Sequence, residues 1–209
     1  MGKKIPWKIL KENKLGTRPA WDEGFMADAI RASSRSSCWK VHSGSVIVYD
    51  KRIIGTGYNG APAEVPSCID LNGCYKEIQT GKKYEETMNI GICQGVHSEM
   101  NAIFNLSKEI PLKSATLYTT IFPCNGCAKN MQAKRIFNKI IFRRAYDEKE
   151  LKGALRIFQE ADIEVCKLEL SPERYLDIIF NHRNAKFDAW TSEEKERASK
   201  GLELMLKGI

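Results

Sequence analysis

Two short stretches constrain this chain more than anything else in it. They are Val96-His97-Ser98-Glu99-Met100-Asn101-Ala102-Ile103 and, further on, Phe122-Pro123-Cys124-Asn125-Gly126-Cys127-Ala128-Lys129. Any fold the chain adopts has to bring His97 to Cys124 and Cys127. One imidazole and two thiols make three ligands of a tetrahedral zinc site whose fourth position is left for water. Each stretch also has the look of a helix start. From Ser98 to Lys108, Met100, Ile103 and Phe104 recur at helical spacing with Ala102 between them, and from Cys124 to Phe137 the same holds for Cys127, Met131 and Ile136. Pro123 suits the first turn, where its missing N–H is not needed. Cys124 and Cys127 are spaced to face the same way on that turn. Both helices then aim their N-termini at the metal, and the partial positive charge there favours thiolate over thiol.

Glu99 follows His97 too closely to be a further ligand and is set to move protons instead. H-x-E followed by P-C-x-x-C is the pattern of zinc-dependent nucleobase deaminases. In that chemistry zinc lowers the pKa of its water and Glu99 takes the proton. The resulting hydroxide attacks an amidine carbon, C4 of cytosine or C6 of adenine, and Glu99 delivers protons to the ring nitrogen and the departing ammonia. Taken alone, a C-x-x-C also marks structural zinc knuckles and redox sites, and a His near a Glu is commonly an ordinary helix-start feature. The two halves together, each opening an amphipathic helix, point to a catalytic zinc site.

The rest of the sequence bounds the setting. A chain of 209 residues is long enough for one domain with a full core and some additions. No apolar run approaches the length of a membrane-spanning helix. Met1-Gly2-Lys3-Lys4-Ile5-Pro6 lacks the apolar centre of a signal peptide, so a cytoplasmic protein without membrane partners is expected. There the seven cysteines point to metal or catalysis before disulfides, and their odd number agrees. A net charge of +7 suits an anionic substrate or nucleic acid, although much of it lies in the tails and also serves solubility.

Residues 1–19 form a basic lead-in with Lys3, Lys4, Lys8, Lys11 and Lys14, expected as a flexible or docked tail. A helix is expected from Trp21 to Ser34, with Trp21, Phe25, Ala29 and Ala32 on one face. Strands follow at Ser43 to Tyr49 and Arg52 to Tyr58, joined by a turn at Tyr49-Asp50-Lys51. In Gly57-Tyr58-Asn59-Gly60-Ala61-Pro62, Asn59 serves either turn chemistry or hydrogen bonding to a substrate. Further strands are expected at Ala115 to Thr120, Lys139 to Arg143 and Ile163 to Leu168, with a helix at Glu148 to Ala161. Cys166 reads as a small core residue. Ser171-Pro172-Glu173 and the capping box Thr191 to Glu194 start two helices, the first carrying Tyr175, Ile178 and Ile179, the second Leu202, Met205 and Leu206. The alternation predicts a three-layer α/β/α domain over residues 20–170 around a five-stranded mixed sheet, followed by a helical extension over 171–209.

The connection from Pro66 to Gln94 is long, and long loops in compact domains are usually functional or tied down. Cys68, Cys74 and Cys93 lie in it and Cys38 lies earlier; four thiolates make a closed structural zinc site, and the alternative is four independent thiols.

Arg18-Pro19-Ala20-Trp21-Asp22, the Gly57–Pro62 loop, Val96–Ile103 and the run from Thr116-Leu117-Tyr118 to Lys129 together resemble deoxycytidylate deaminases, in the bacterial and phage branch that includes the late competence deaminases. The likeness runs from about Arg18 to Leu168. It implies a cytidine-deaminase-like fold and conversion of dCMP to dUMP with release of ammonia. Zinc would be held by His97, Cys124 and Cys127, with Glu99 as proton shuttle and Asn59, Ser98 and Phe122 against the nucleotide. It also implies a second, structural zinc at Cys38, Cys68, Cys74 and Cys93, a homo-oligomer such as a hexamer, and regulation by dCTP and dTTP, with Mg2+ accompanying the effector. The chain departs from the family pattern at Gln132-Ala133-Lys134-Arg135-Ile136, where an Ala-Gly-Ile is usual, and at two further places. Ser98 stands where an alanine is usual, and His42-Ser43-Gly44-Ser45-Val46 stands where a Val-Gly-Ala sequence is usual. Alternatives are a deaminase of a 5-substituted dCMP or of tRNA or another polynucleotide, or a non-catalytic zinc module, which would have no use for Glu99. Arg35, Lys40 and Arg52 are candidates for the phosphate by position.

Overall fold

The apolar run Val46-Ile47-Val48 and the short runs with buried apolar residues near 117, 140 and 165 are too short for helices and too apolar for surface loops, and they form the middle of a sheet. The structure is a computed structural model, which describes residues 7–87, 91–145, 148–180 and 191–193, with 196 and 200. In chain order its elements are β1 (Lys8–Lys11), α1 (Trp21–Ser33), β2 (Gly44–Tyr49), β3 (Arg52–Tyr58), α2 (Tyr75–Thr80), α3 (Tyr84–Thr87), α4 (Ser98–Phe104), β4 (Ala115–Ile121), α5 (Asn125–Lys134), β5 (Phe137–Arg144), α6 (Glu148–Glu160), β6 (Glu164–Glu169) and α7 (Pro172–Phe180).

The strands make one sheet in the order β1-β6-β5-β4-β2-β3. The β1–β6, β6–β5 and β5–β4 pairs are parallel, and β4–β2 and β2–β3 are antiparallel. The sheet is mixed, as expected, but has six strands rather than five. The extra strand, β1, pairs in register from Lys8 with Cys166 to Lys11 with Glu169 at the open edge. Edge strands carry exposed lysines that discourage further pairing. Lys8 and Lys11 are exposed and Leu10 is half-buried, so the stretch lacks the apolar alternation that marks a strand. The hairpin between β2 and β3 turns through Asp50 and Lys51, both at positive φ, the backbone a tight hairpin demands.

Two apolar clusters cover the two faces. On one, Ala102 of α4, Ala128 and Met131 of α5, and Ala154 and Phe158 of α6 pack against Ile47, Leu117, Ile140 and Val165. On the other, Phe25, Met26, Ala29 and Ile30 of α1 and Tyr175 of α7 pack against Val46, Tyr118, Ile141 and Cys166. Cys166 is thus a buried core residue, and the layers are helix, sheet, helix.

Ser171 caps α7 by accepting from Arg174 N at 3.1 Å. Arg174, fully buried, then ties α7 to the opening of the chain. Its guanidinium donates to both carboxylate oxygens of Glu23, at 2.7 and 3.0 Å, and to the carbonyls of Lys14 and Thr17, and it also pairs with Asp177. The Glu23 carboxylate in turn accepts from Asn13 N at 2.8 Å and Ala20 N at 2.6 Å, which fixes the entry to α1. Glu194, Leu202, Met205 and Leu206, on which a second C-terminal helix is expected, lie outside the described residues. Among the described residues no helix is long and apolar enough to cross a membrane.

Candidate metal centre and active site

His97 and Cys124 occupy the same structural position on two helices. Each is the extended N-cap residue, His97 of α4 and Cys124 of α5. Three features set α4. Gly60 and Val96 exchange backbone hydrogen bonds at 3.2 and 2.8 Å just before it. Asn101 donates from Nδ2 to Tyr58 O at 2.7 Å, tying its first turns to the end of β3. At Gly57, β3 passes so close beneath α4 that a Cβ there would lie 2.2 Å from Ser98 O. The helix α5 starts where β4 ends, at the edge of the same sheet face, and Cys127 N donates to Cys124 Sγ at 3.5 Å across its first turn.

These placements bring His97 Nδ1 to 3.5 Å from Cys124 Sγ and 3.4 Å from Cys127 Sγ. Tetrahedral zinc with ordinary Zn–S and Zn–N bonds sets its nitrogen and sulfur ligands about 3.6 Å apart. The three side chains therefore already have the spacing that one zinc ion requires, through Nδ1 of the ring. Among the described residues they are the one group of three or more His, Cys, Asp or Glu whose ligand atoms lie within 4.8 Å of one another. The cysteines are free, so no disulfide joins the two sulfurs.

The three groups share protons unevenly. The hydrogen bond from Cys127, with help from His97, draws the Cys124 thiol down to about 3. The adjacent Cys124 raises His97 to about 9 against the effect of burial. Cys127 is held as a thiol by Cys124 and by burial. Divalent zinc needs both sulfurs as thiolates and the ring neutral, so binding it displaces these protons. Burial pushes the Glu99 carboxyl up, and the positive His97 beside it pulls in the opposite direction. A carboxyl whose proton affinity is raised in this way is suited to hold a proton between transfers.

His97, Ser98, Glu99 and Cys124 line a cavity of about 140 Å³, room for a pyrimidine ring rather than one or two waters. Asn59 and Phe122 line it too. The Asn59 side chain makes no bond within its own turn but ties its loop to the segment before β2: Oδ1 accepts from Ser43 N at 2.8 Å and Nδ2 donates to Val41 O at 2.7 Å. An amide has capacity for two more bonds, so this does not exhaust it. Phe122 lies mainly in the core, edge-on to Phe142 with ring centres 4.9 Å apart. Ser98 is fully buried, and its hydroxyl meets Ser43 and Ser45 at 2.8 Å each. Two of the departures from the family pattern thus meet in space as one hydroxyl cluster.

Cys38, Cys68, Cys74 and Cys93 all line the same cavity. Burial raises the Cys38 thiol, and the charges of Cys68 and Cys93 add to that, so these residues sense one another. Their sulfurs are not drawn within 4.8 Å as a group. Arg35 lies over the Tyr58 ring, Lys40 pairs with Glu77 at 2.9 Å, and Arg52 is exposed; none of the three lines the cavity. The lysine in its wall is Lys76 of α2, which donates to Thr87 O at 3.0 Å. Its only signal in the sequence is its place in a cysteine-bearing insertion.

Residues 19–143 match the family described as the cytidine and deoxycytidylate deaminase zinc-binding region. The deoxycytidylate deaminase of Mycobacterium phage D29 is 38% identical over 122 residues, covering 57% of this chain and 92% of that protein. That of Saccharomyces cerevisiae is 32% identical over 178 residues, covering 82% of this chain and 54% of its own length, so the chain spans about half of the yeast protein. A crystal structure of dCMP deaminase from the cyanophage S-TIM5, in complex with dCMP and dUMP, superposes with a TM-score of 0.54 at 24% identity, over 72% of this chain and 98% of that one. This last likeness is one of fold.

Proposed function

Because the chain belongs to the cytidine and deoxycytidylate deaminases, we propose that it converts dCMP and water to dUMP and ammonia. The observation that carries this reading is a buried carboxylate, Glu99, next to three side chains already spaced for one zinc ion, with Glu99, His97 and Cys124 lining one pyrimidine-sized cavity. A purely structural zinc site has no use for such a carboxylate. The names of the phage and yeast relatives support dCMP as the substrate.

His97, Cys124 and Cys127 would hold the zinc, with the fourth position facing the cavity. The chemistry a zinc ion supplies in such a site is ionisation of water near neutral pH. Glu99 would accept the proton released and pass it to N3 of the cytosine; it would then take the second proton from the new hydroxyl on C4 and hand it to the departing amine, which leaves as ammonia. Asn59, Ser98 and Phe122 form the wall against which the pyrimidine rests. The low-dielectric surroundings of Phe122 exclude water from the reacting carbon.

Three finer elements belong to the same reading. Cys38, Cys68, Cys74 and Cys93, which line the same cavity, would close around a second, structural zinc and staple the 66–94 insertion beside it. Assembly as a homo-oligomer such as a hexamer, and regulation by dCTP and dTTP with Mg2+, rest on the family resemblance alone; a cytoplasmic location is part of the same proposal. The test is ammonia release from purified zinc-loaded protein offered dCMP, CMP, 5-methyl-dCMP, dCTP and short RNA, with and without dCTP or dTTP. Preference for dCMP is expected. Turnover confined to RNA or to the 5-methyl nucleotide would displace this substrate assignment.

A further inference from the structure

Behind Glu99 lies a set of buried hydroxyls, of which the reading above uses only Ser98, and that only as part of the cavity wall. Ser98 Oγ is 2.8 Å from Ser43 Oγ and 2.8 Å from Ser45 Oγ, and it donates to Glu99 Oε2 at 3.2 Å. A serine hydroxyl has one proton and two lone pairs. Three partners therefore saturate it. When Ser43 and Ser45 both donate to Ser98, its lone pairs are filled and its one proton is left for Glu99.

The outer bonds are compatible with that direction. Thr120 Oγ1 accepts from Gly44 N at 3.1 Å and donates to Ser43 Oγ at 3.5 Å, so Ser43 keeps its own proton for Ser98. Thr119 Oγ1 donates to Ile121 O at 2.9 Å and lies 3.0 Å from Ser45 Oγ, which leaves the Ser45 proton a choice between Thr119 and Ser98. A carboxylate at the end of the chain tips that choice toward Ser98, because a hydrogen bond to a charged acceptor is the stronger one and strengthens its neighbours.

We propose that Ser98 is a positioning residue for Glu99. Ser43 and Ser45 aim its proton at Oε2 and fix the carboxylate, leaving Oε1 as the oxygen that handles the protons of the reaction. This role rests on the deaminase reading given above.

The experiment compares the parental chain with Ser98→Ala, Ser45→Ala and the double variant, measuring kcat and KM for dCMP, zinc content and melting temperature. For Ser98→Ala the expectation is parental zinc, KM within about twofold, and kcat lower by about 10- to 100-fold, the worth of one charge-assisted hydrogen bond. Ser45→Ala should lose less. The double variant should be no slower than Ser98→Ala, because both changes act through one bond. Parental kcat in zinc-loaded Ser98→Ala overturns the proposal, as do losses that multiply in the double variant, which is what mere packing would give. Should Ser98→Ala lose zinc or fail to fold, folded zinc-loaded Ser45→Ala decides: parental kcat there overturns it and a reduced kcat at unchanged KM supports it. A parental chain that releases no ammonia from any cytosine nucleotide defeats the deaminase reading itself, and this role with it.

Discussion

At Gly57 strand β3 runs tight against α4, and adding a single methyl group there should disable the proposed site without touching any of its side chains. A Cβ at this position would lie 2.2 Å from Ser98 O and 2.3 Å from Ala102 N. Both atoms are helix backbone and cannot rotate aside, so α4 has to retreat by about 1 Å, the kind of overpacking that costs about 1–3 kcal/mol. His97 and Glu99 travel with α4, whereas Cys124 and Cys127 stay on α5. Zinc–ligand distances tolerate only about 0.2 Å. Misplacing reacting groups by about 1 Å costs about 100-fold in rate. Gly57→Ala is therefore expected to bind less than the parental amount of zinc, to melt several degrees lower, and to release ammonia from dCMP about 100-fold more slowly. The control is Gly24→Ala in α1, where a Cβ meets nothing within 4 Å; it should be as stable as the parent or more so by about 0.5–1 kcal/mol. Parental zinc content, melting temperature and kcat in Gly57→Ala would refute the idea that this contact sets the site.

Other consequences can be checked separately. Arg174→Ala strands the buried Glu23 and Asp177 carboxylates and should lower unfolding free energy in urea by about 3–5 kcal/mol, far more than loss of an exposed pair such as Arg156–Glu160. Burial raises the Glu23 carboxyl, but Arg174 and the N–H groups of Ala20 and Asn13 outweigh it and hold it below its ordinary 4.5. A depressed carboxyl stabilises the fold above its unfolded value, and that contribution fades as the pH falls through 4.5 toward the folded value. Glu23→Gln should therefore be less stable at pH 7 and lose less between pH 5 and pH 3 in thermal melts; a parallel loss in both proteins would contradict the assignment. Elemental analysis should give about two zinc per parental chain and about one in Cys38→Ser, since removing one of four thiolates opens a closed site; one zinc in both would remove the second metal.

The candidate site was legible in the sequence because a metal and a proton carrier demand particular residue types at fixed spacing. His97, Glu99, Cys124 and Cys127 say so without reference to the rest of the chain. The central strands and α1, α5 and α6 were legible because each buries a face and must repeat apolar residues at its own period. What escaped notice depends on partners distant in sequence. The strand β1 exists because β6, over 150 residues later, offers an open edge, and its exposed lysines carry no strand pattern. The short helices α2 and α3 bury too few residues to show a period. Helix α4 ends at Phe104, which is exposed, so the apolar spacing that suggested a longer helix did not mark a buried face there. The hydroxyl cluster draws Ser43 from the residue before β2, Ser45 from β2, Thr119 from the neighbouring β4 and Ser98 from a helix. Only their pairing turns three unremarkable serines into a support for Glu99.

The most direct test of the chemistry is the rate of ammonia release from dCMP by Glu99→Ala, measured beside the parental chain at matched zinc content and melting temperature. With no group left to carry protons between water, N3 and the leaving amine, turnover should drop by at least about 100-fold while the metal stays bound. Deamination by zinc-loaded Glu99→Ala at the parental rate would contradict the assignment of Glu99 as the proton carrier.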